Sequence, residues 1–139
     1  MELKIPNTEA LRLIEESIGE GKEVLLRVKG NSMNPLLLDN IDVVTLTPFH
    51  PDNLKTGDII LFRYKEGFVL HRIISIDGTE IVAKGDASAR LEVIGYSDVV
   101  ALAKVPKIGS VRKILRSARI LLSRIRAFYC EVIAHCRSL

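Results

Sequence analysis

The sequence predicts a mainly β domain set between a short leading helix and a long, basic trailing helix. Three observations predict it. Hydrophobic residues make up 47% of the 139 positions while aromatics make up only 5% and Trp is absent, so the core must be built from Val, Ile and Leu, which favour strands. Between residues 23 and 105, short apolar segments of alternating pattern are separated by turn residues. From Ile108 the apolar period lengthens to three or four residues, the mark of an amphipathic helix.

The elements follow in order. Thr8 can cap a helix over about Glu9–Ile18, ended by Gly19 and Gly21. Its apolar face is Ala10, Leu13 or Ile14, and Ile18. A strand at Glu23–Lys29 places Val24, Leu26 and Val28 on one face. Gly30-Asn31-Ser32-Met33-Asn34-Pro35 breaks it. Further strands are expected near Asp42–Leu46, Asp58–Tyr64, Phe68–Ile76, Thr79–Lys84 and Ser97–Val105, with turns at Lys65-Glu66-Gly67 and Asp77-Gly78 and a loop over 47–57. Three regions result: a helical lead over 1–22, a β domain over 23–107 and a helical tail over 108–139.

Charge is unevenly distributed. Residues 107–139 hold eight of the 20 Lys/Arg and one of the 17 acids, so a basic tail adjoins an acidic body and points to a local partner for the tail. The tail helix can pack on the sheet or on a second copy of the chain, or lie on an anionic membrane surface with its arginines at the headgroups. No aromatic platform or reading motif accompanies the charge, so no nucleic-acid partner is expected. Cys130 and Cys136 are too far apart on one helix for an unstrained disulfide, and no Cys/His pair has zinc spacing; no metal or cofactor is expected. Met1–Pro6 lacks a basic start and an apolar run, and no uncharged stretch approaches the roughly 20 residues of a membrane span. The expected location is cytoplasmic or peripherally membrane-associated.

Three residues carry possible chemistry. Ser32 follows a strand in a turn that can expose its hydroxyl; it is a nucleophile if a base lies within reach, and otherwise a turn serine bonded to its own backbone. His71 sits within Phe-Val-Leu-His-Arg-Ile-Ile, sharing a strand face with Val69 and Ile73. Histidine suits general-base work near neutral pH, although one among apolar neighbours is commonly a hydrogen-bonded core residue. Asp86, in Lys84-Gly85-Asp86, can orient such a histidine or cap a turn. Arg72 reads as a structural ion-pair partner, and His50 and His135 receive no chemistry.

Together these segments resemble a known family. Gly30-Asn31-Ser32-Met33-Asn34-Pro35 is similar to the nucleophile motif of bacterial signal peptidase I and of the LexA and phage-repressor autoproteases. Thr56-Gly57-Asp58-Ile59-Ile60-Leu61-Phe62 resembles the strand that follows it there. His71-Arg72-Ile73-Ile74 falls where those enzymes carry Lys-Arg, and a histidine there resembles the endoplasmic-reticulum and archaeal branch, as does Lys84-Gly85-Asp86. Val105-Pro106-Lys107-Ile108-Gly109 is similar to that family's exit from its sheet. The likeness spans about residues 23–111.

The resemblance implies a signal-peptidase/LexA-like β body with Ser32 as nucleophile, His71 as base and Asp86 as acid. Gly30, Asn31 and Met33 would border the substrate, Met33 packing beside the site. The branch has a second acid six residues after the first. Glu92 occupies that position, either assisting or lying on the surface, and the surface reading is preferred. The oxyanion hole would use the Ser32 N–H and a second donor; the serine common two residues before the nucleophile is here Gly30. The implied activity is a serine endopeptidase that cleaves leader or signal-type peptides through an acyl-enzyme. A non-catalytic peptide-binding module and a self-cleaving regulatory protease are the alternatives, and a homo-oligomer is compatible with either.

Overall fold

A computed structural model of the chain describes residues 7–106. The expected tail helix over 108–139, with both cysteines and His135, lies outside the described residues, as do Met1–Pro6.

The leading helix, α1, runs Asn7–Gly19. Thr8 lies inside it and is not its cap. Leu11, Ile14 and Ile18 turn inward, whereas Leu13 is largely exposed, so Ile14 is the core residue of the pair left open by periodicity. Gly21, at φ 78°, ends the helix. Its N–H donates to the Ile18 carbonyl and the Lys22 N–H to that of Ser17, the paired bonds of a glycine-terminated helix end. Glu15 pairs with Arg63 and ties the helix to the sheet.

Among the described residues, seven antiparallel strands form one sheet: β1 (Val24–Arg27), β2 (Val43–Thr47), β3 (Ile59–Tyr64), β4 (Gly67–Asp77), β5 (Glu80–Lys84), β6 (Leu91–Gly95) and β7 (Val99–Lys104), in the spatial order β1-β2-β7-β3-β4-β5-β6. Six of them match expected strands, with Ser97 and Asp98 forming a 3-10 turn before β7. β6 was not expected. Its inward positions are Glu92 and Ile94 while Leu91 and Val93 face out, so its alternation hides the buried face.

The sheet is covered on both sides. Ile59 and Leu61 of β3 join a core with Ile14, Met33, Leu37, Val44 and Leu46, while Ile60 and Phe62 join a second with Ile73, Ile81, Ala83 and Ile94. A strand buried on both faces reads as a continuous apolar run, which explains Ile59-Ile60-Leu61-Phe62. The β3–β4 hairpin closes at the Tyr64–Gly67 pair and the β4–β5 hairpin at Asp77–Glu80, with Gly78 at φ 57°. In β4 the register shifts between Ile73 and Ser75. Leu46→Ala, in a fully buried position of β2, should cost about 2–5 kcal/mol, measured by denaturant unfolding.

Candidate active site

Ser32 is presented by a turn anchored in the core. Met33 is 2% exposed and Leu37 fully buried, and the Leu37 N–H donates to the Met33 carbonyl at 2.9 Å. Two buried side chains thus hold the segment by its underside and leave Ser32 at the sheet. Gly30 takes φ 84° and donates its N–H to Asp39 Oδ1 at 2.8 Å, so a left-handed residue is required where β1 breaks. Asn31 lies exposed, accepting the Asn34 N–H at 3.2 Å.

His71 comes from the middle of β4, opposite Ile60 of β3, with its ring edge-on to Phe62. Its Nε2 lies 3.0 Å from Ser32 Oγ and its Nδ1 2.8 Å from Glu92 Oε2. His71 is 6% and Glu92 5% exposed. An ionised carboxylate can only accept, so Nδ1–H donates to Glu92 and the Nε2 lone pair faces the Ser32 hydroxyl. The hydroxyl, the imidazole and the carboxylate are linked in series, an arrangement in which a histidine can act as base toward a serine hydroxyl.

The carboxylate at the His71 ring is Glu92 and not the expected Asp86. Asp86 grips Arg72, its two carboxylate oxygens accepting from Nε and Nη2 at 2.8 Å each. Arg72 is one residue along β4 from His71 and therefore faces the other side of the sheet, which is why Asp86 does not serve His71. Arg72 also donates to the Gly57 carbonyl at 2.9 Å, and the Asp86 hydrogen bond raises the guanidinium pKa above its ordinary value, against burial, which lowers it. Arg72 is thus the ion-pair partner expected. Glu92, preferred as a surface residue, is instead buried. It stands across β5 from His71, in the row Ile73–Ala83–Glu92, and small Ala83 leaves the longer glutamate room to reach the ring. The spacing of six from Asp86 was the available signal.

The Lys84-Gly85-Asp86 segment serves the site in another way. A Cβ at Gly85 would stand 2.6 Å from the Ser32 carbonyl oxygen, 2.9 Å from His71 Nε2 and 3.0 Å from Ser32 Cβ. Two residues on, the Ala87 N–H donates to that same carbonyl at 2.8 Å. The loop presses its backbone against the Ser32–His71 contact, and the Arg72–Asp86 pair fastens it to β4.

Beside Ser32 and His71 opens a cleft of about 340 Å³ with an apolar wall that includes Leu26, Leu61, Phe68 and Leu70. Of the residues expected to border substrate, Gly30 and Met33 line it, Met33 from the core side, while Asn31 is not among its lining residues. Gly85→Ala should displace the Ser32 carbonyl, which cannot yield as a flexible side chain would; a stability loss of about 1–3 kcal/mol and loss of serine reactivity toward a fluorophosphonate probe are expected, read by thermal unfolding and labelling.

No curated protein matches the chain at a significant level. A family model described as Peptidase S24-like matches residues 2–93, a span that contains Ser32, His71 and Glu92 and agrees with the LexA and signal-peptidase resemblance. The chain belongs to the Peptidase S24-like family of serine peptidases and autoproteases.

Proposed function

We propose that the protein is a serine endopeptidase of the Ser-His branch, with Ser32 as nucleophile, His71 as general base and Glu92 as the positioning acid. The observation that carries this reading is the linked contact of Ser32 Oγ with His71 Nε2 at 3.0 Å and of His71 Nδ1 with Glu92 at 2.8 Å. Ser32 Oγ attacks the peptide carbonyl carbon as Nε2 takes the hydroxyl proton. The imidazolium then returns a proton to the departing amine, leaving an acyl-enzyme. Water, deprotonated by the same nitrogen, releases the acid and restores the serine. Glu92 favours the imidazolium at both stages and holds the productive tautomer. The Ser32 N–H makes no hydrogen bond among the described residues and is free to receive the developing oxyanion.

The proposed substrates are leader or signal-type peptides, the class implied by the resemblance, drawn in extended form into the cleft. Among the described residues no helix is long and apolar enough to cross a membrane. The basic tail is the proposed site of peripheral membrane contact, since its arginines suit anionic headgroups.

Cleavage of a diverse peptide mixture, followed by mass spectrometry with lipid or detergent present, tests the reading. Products should appear with wild type and vanish with Ser32→Ala and with His71→Ala. Peptide binding without cleavage by any form would instead support a non-catalytic module. Glu92→Gln should lower kcat by a factor on the order of 10³–10⁴, because the amide no longer fixes the tautomer. Activity should also fall on acidification, as a protonated His71 cannot accept the serine proton; a flat acid limb in the kcat/KM profile would contradict that role.

A further inference from the structure

We propose that Arg27 and Lys29 form an anion subsite in the cleft, selecting peptides that carry an acidic side chain within about five residues of the scissile bond. The inference rests on the peptidase reading for its link to cleavage, but the subsite itself stands on separate observations.

Along β1 and its continuation, Leu26 and Val28 turn inward while Arg27 and Lys29 are exposed. Both cations line the same cleft as Ser32 and His71. Their heads converge on one neutral residue: Arg27 Nη1 donates to the Asn40 carbonyl at 3.1 Å, and Lys29 Nζ donates to Asn40 Oδ1. Asn40 is turned toward them by a left-handed backbone, φ 58°, and its own N–H donates to the Val28 carbonyl at 2.9 Å. Asparagine tolerates that conformation better than most residues.

The two cations therefore share one neutral hydrogen-bond partner and not a carboxylate. Among the described residues neither makes an ion pair, although Arg12, Lys22, Arg63, Arg72 and Lys104 each meet a carboxylate. Asp39, the acid of the adjoining loop, is engaged by the Gly30 N–H and the Asn40 amide. A carboxylate entering the cleft would gain charge-assisted hydrogen bonds from the guanidinium and the ammonium.

A peptide is the fitting occupant. Among the described residues β1 ends the sheet and pairs with β2 on one side only, so its other edge can hydrogen-bond an extended chain. Arg27 precedes Ser32 by five residues, and an extended chain covers at most about 3.3–3.6 Å per residue, which sets the reach of the preference.

The test starts from the best-cut sequence in a random dodecapeptide mixture, resynthesised with Glu, Gln or Lys at each of the five positions on either side of the bond. With wild type, Glu at one position should raise kcat/KM about fivefold over Gln, the scale of a partly exposed ion pair. In Arg27→Gln/Lys29→Gln the ratio should fall to near one. In Arg27→Glu/Lys29→Glu the Lys peptide should be preferred at that position, a gain that misfolding cannot produce. A ratio near one in wild type, or one that persists in the Gln variant, overturns the subsite. If wild type cuts nothing, the peptidase reading fails by itself. The subsite is then read by fluorescence anisotropy, using a fluorescein-labelled alanine-rich dodecapeptide with one central Glu or Gln. Tighter binding of the Glu form that disappears in the Gln variant upholds the subsite, and equal binding overturns it.

Discussion

The buried contact between His71 and Glu92 is the interaction on which the site depends. A carboxylate withdrawn from water is costly unless it is hydrogen-bonded or paired, and Glu92 answers that cost through His71 Nδ1 at 2.8 Å. The bond fixes which ring nitrogen carries the proton, and so leaves Nε2 able to accept from Ser32. It also explains a local irregularity. β6 spends an inward position on an acid and turns Leu91 and Val93 to solvent, an arrangement that packing alone would not select.

Around that contact the fold works by close backbone approach. Ser32 is held from below by Met33 and Leu37 in the core, and from the side by the Gly85–Ser88 loop, which takes its carbonyl in a hydrogen bond. Gly85 is constrained by space and not by backbone angle, since a methyl group there would meet the Ser32 carbonyl and the His71 ring at once. The Arg72–Asp86 pair lies on the far side of β4 and secures the loop without a hydrogen bond to Ser32 or His71. Two carboxylates six residues apart thus have separate tasks, one behind the imidazole and one fastening the loop that backs it.

Much of the fold was legible in the chain itself. The apolar run of β3, the hairpin turns after Tyr64 and Asp77, and the alternation of β1 and β4 are local properties, and the strands formed close to their expected limits. Ser32 and His71 were legible through the resemblance of Gly30-Asn31-Ser32-Met33-Asn34-Pro35 and His71-Arg72-Ile73-Ile74 to signal-peptidase and LexA motifs; the local pattern alone left a turn serine and a core histidine open. β6 was not legible, because its hydrophobic residues face outward. Met33, expected to pack beside the site, is a core residue that floors the cleft.

The sequence by itself determined the β body and the leading helix, since periodicity and turn chemistry are written along the chain, and its family-like motifs marked the two residues now 3.0 Å apart. Only the tertiary structure decided which acid meets the histidine. That choice turns on strand registry: Arg72 and His71 face opposite sides of β4, which sends Asp86 to the arginine, while β5 and β6 align Ala83 with Glu92 and bring the second acid to the ring. The convergence of Arg27 and Lys29 on Asn40 likewise depends on a loop that returns thirteen residues later to the end of β1. Such pairings join residues remote in sequence, and no local pattern encodes them.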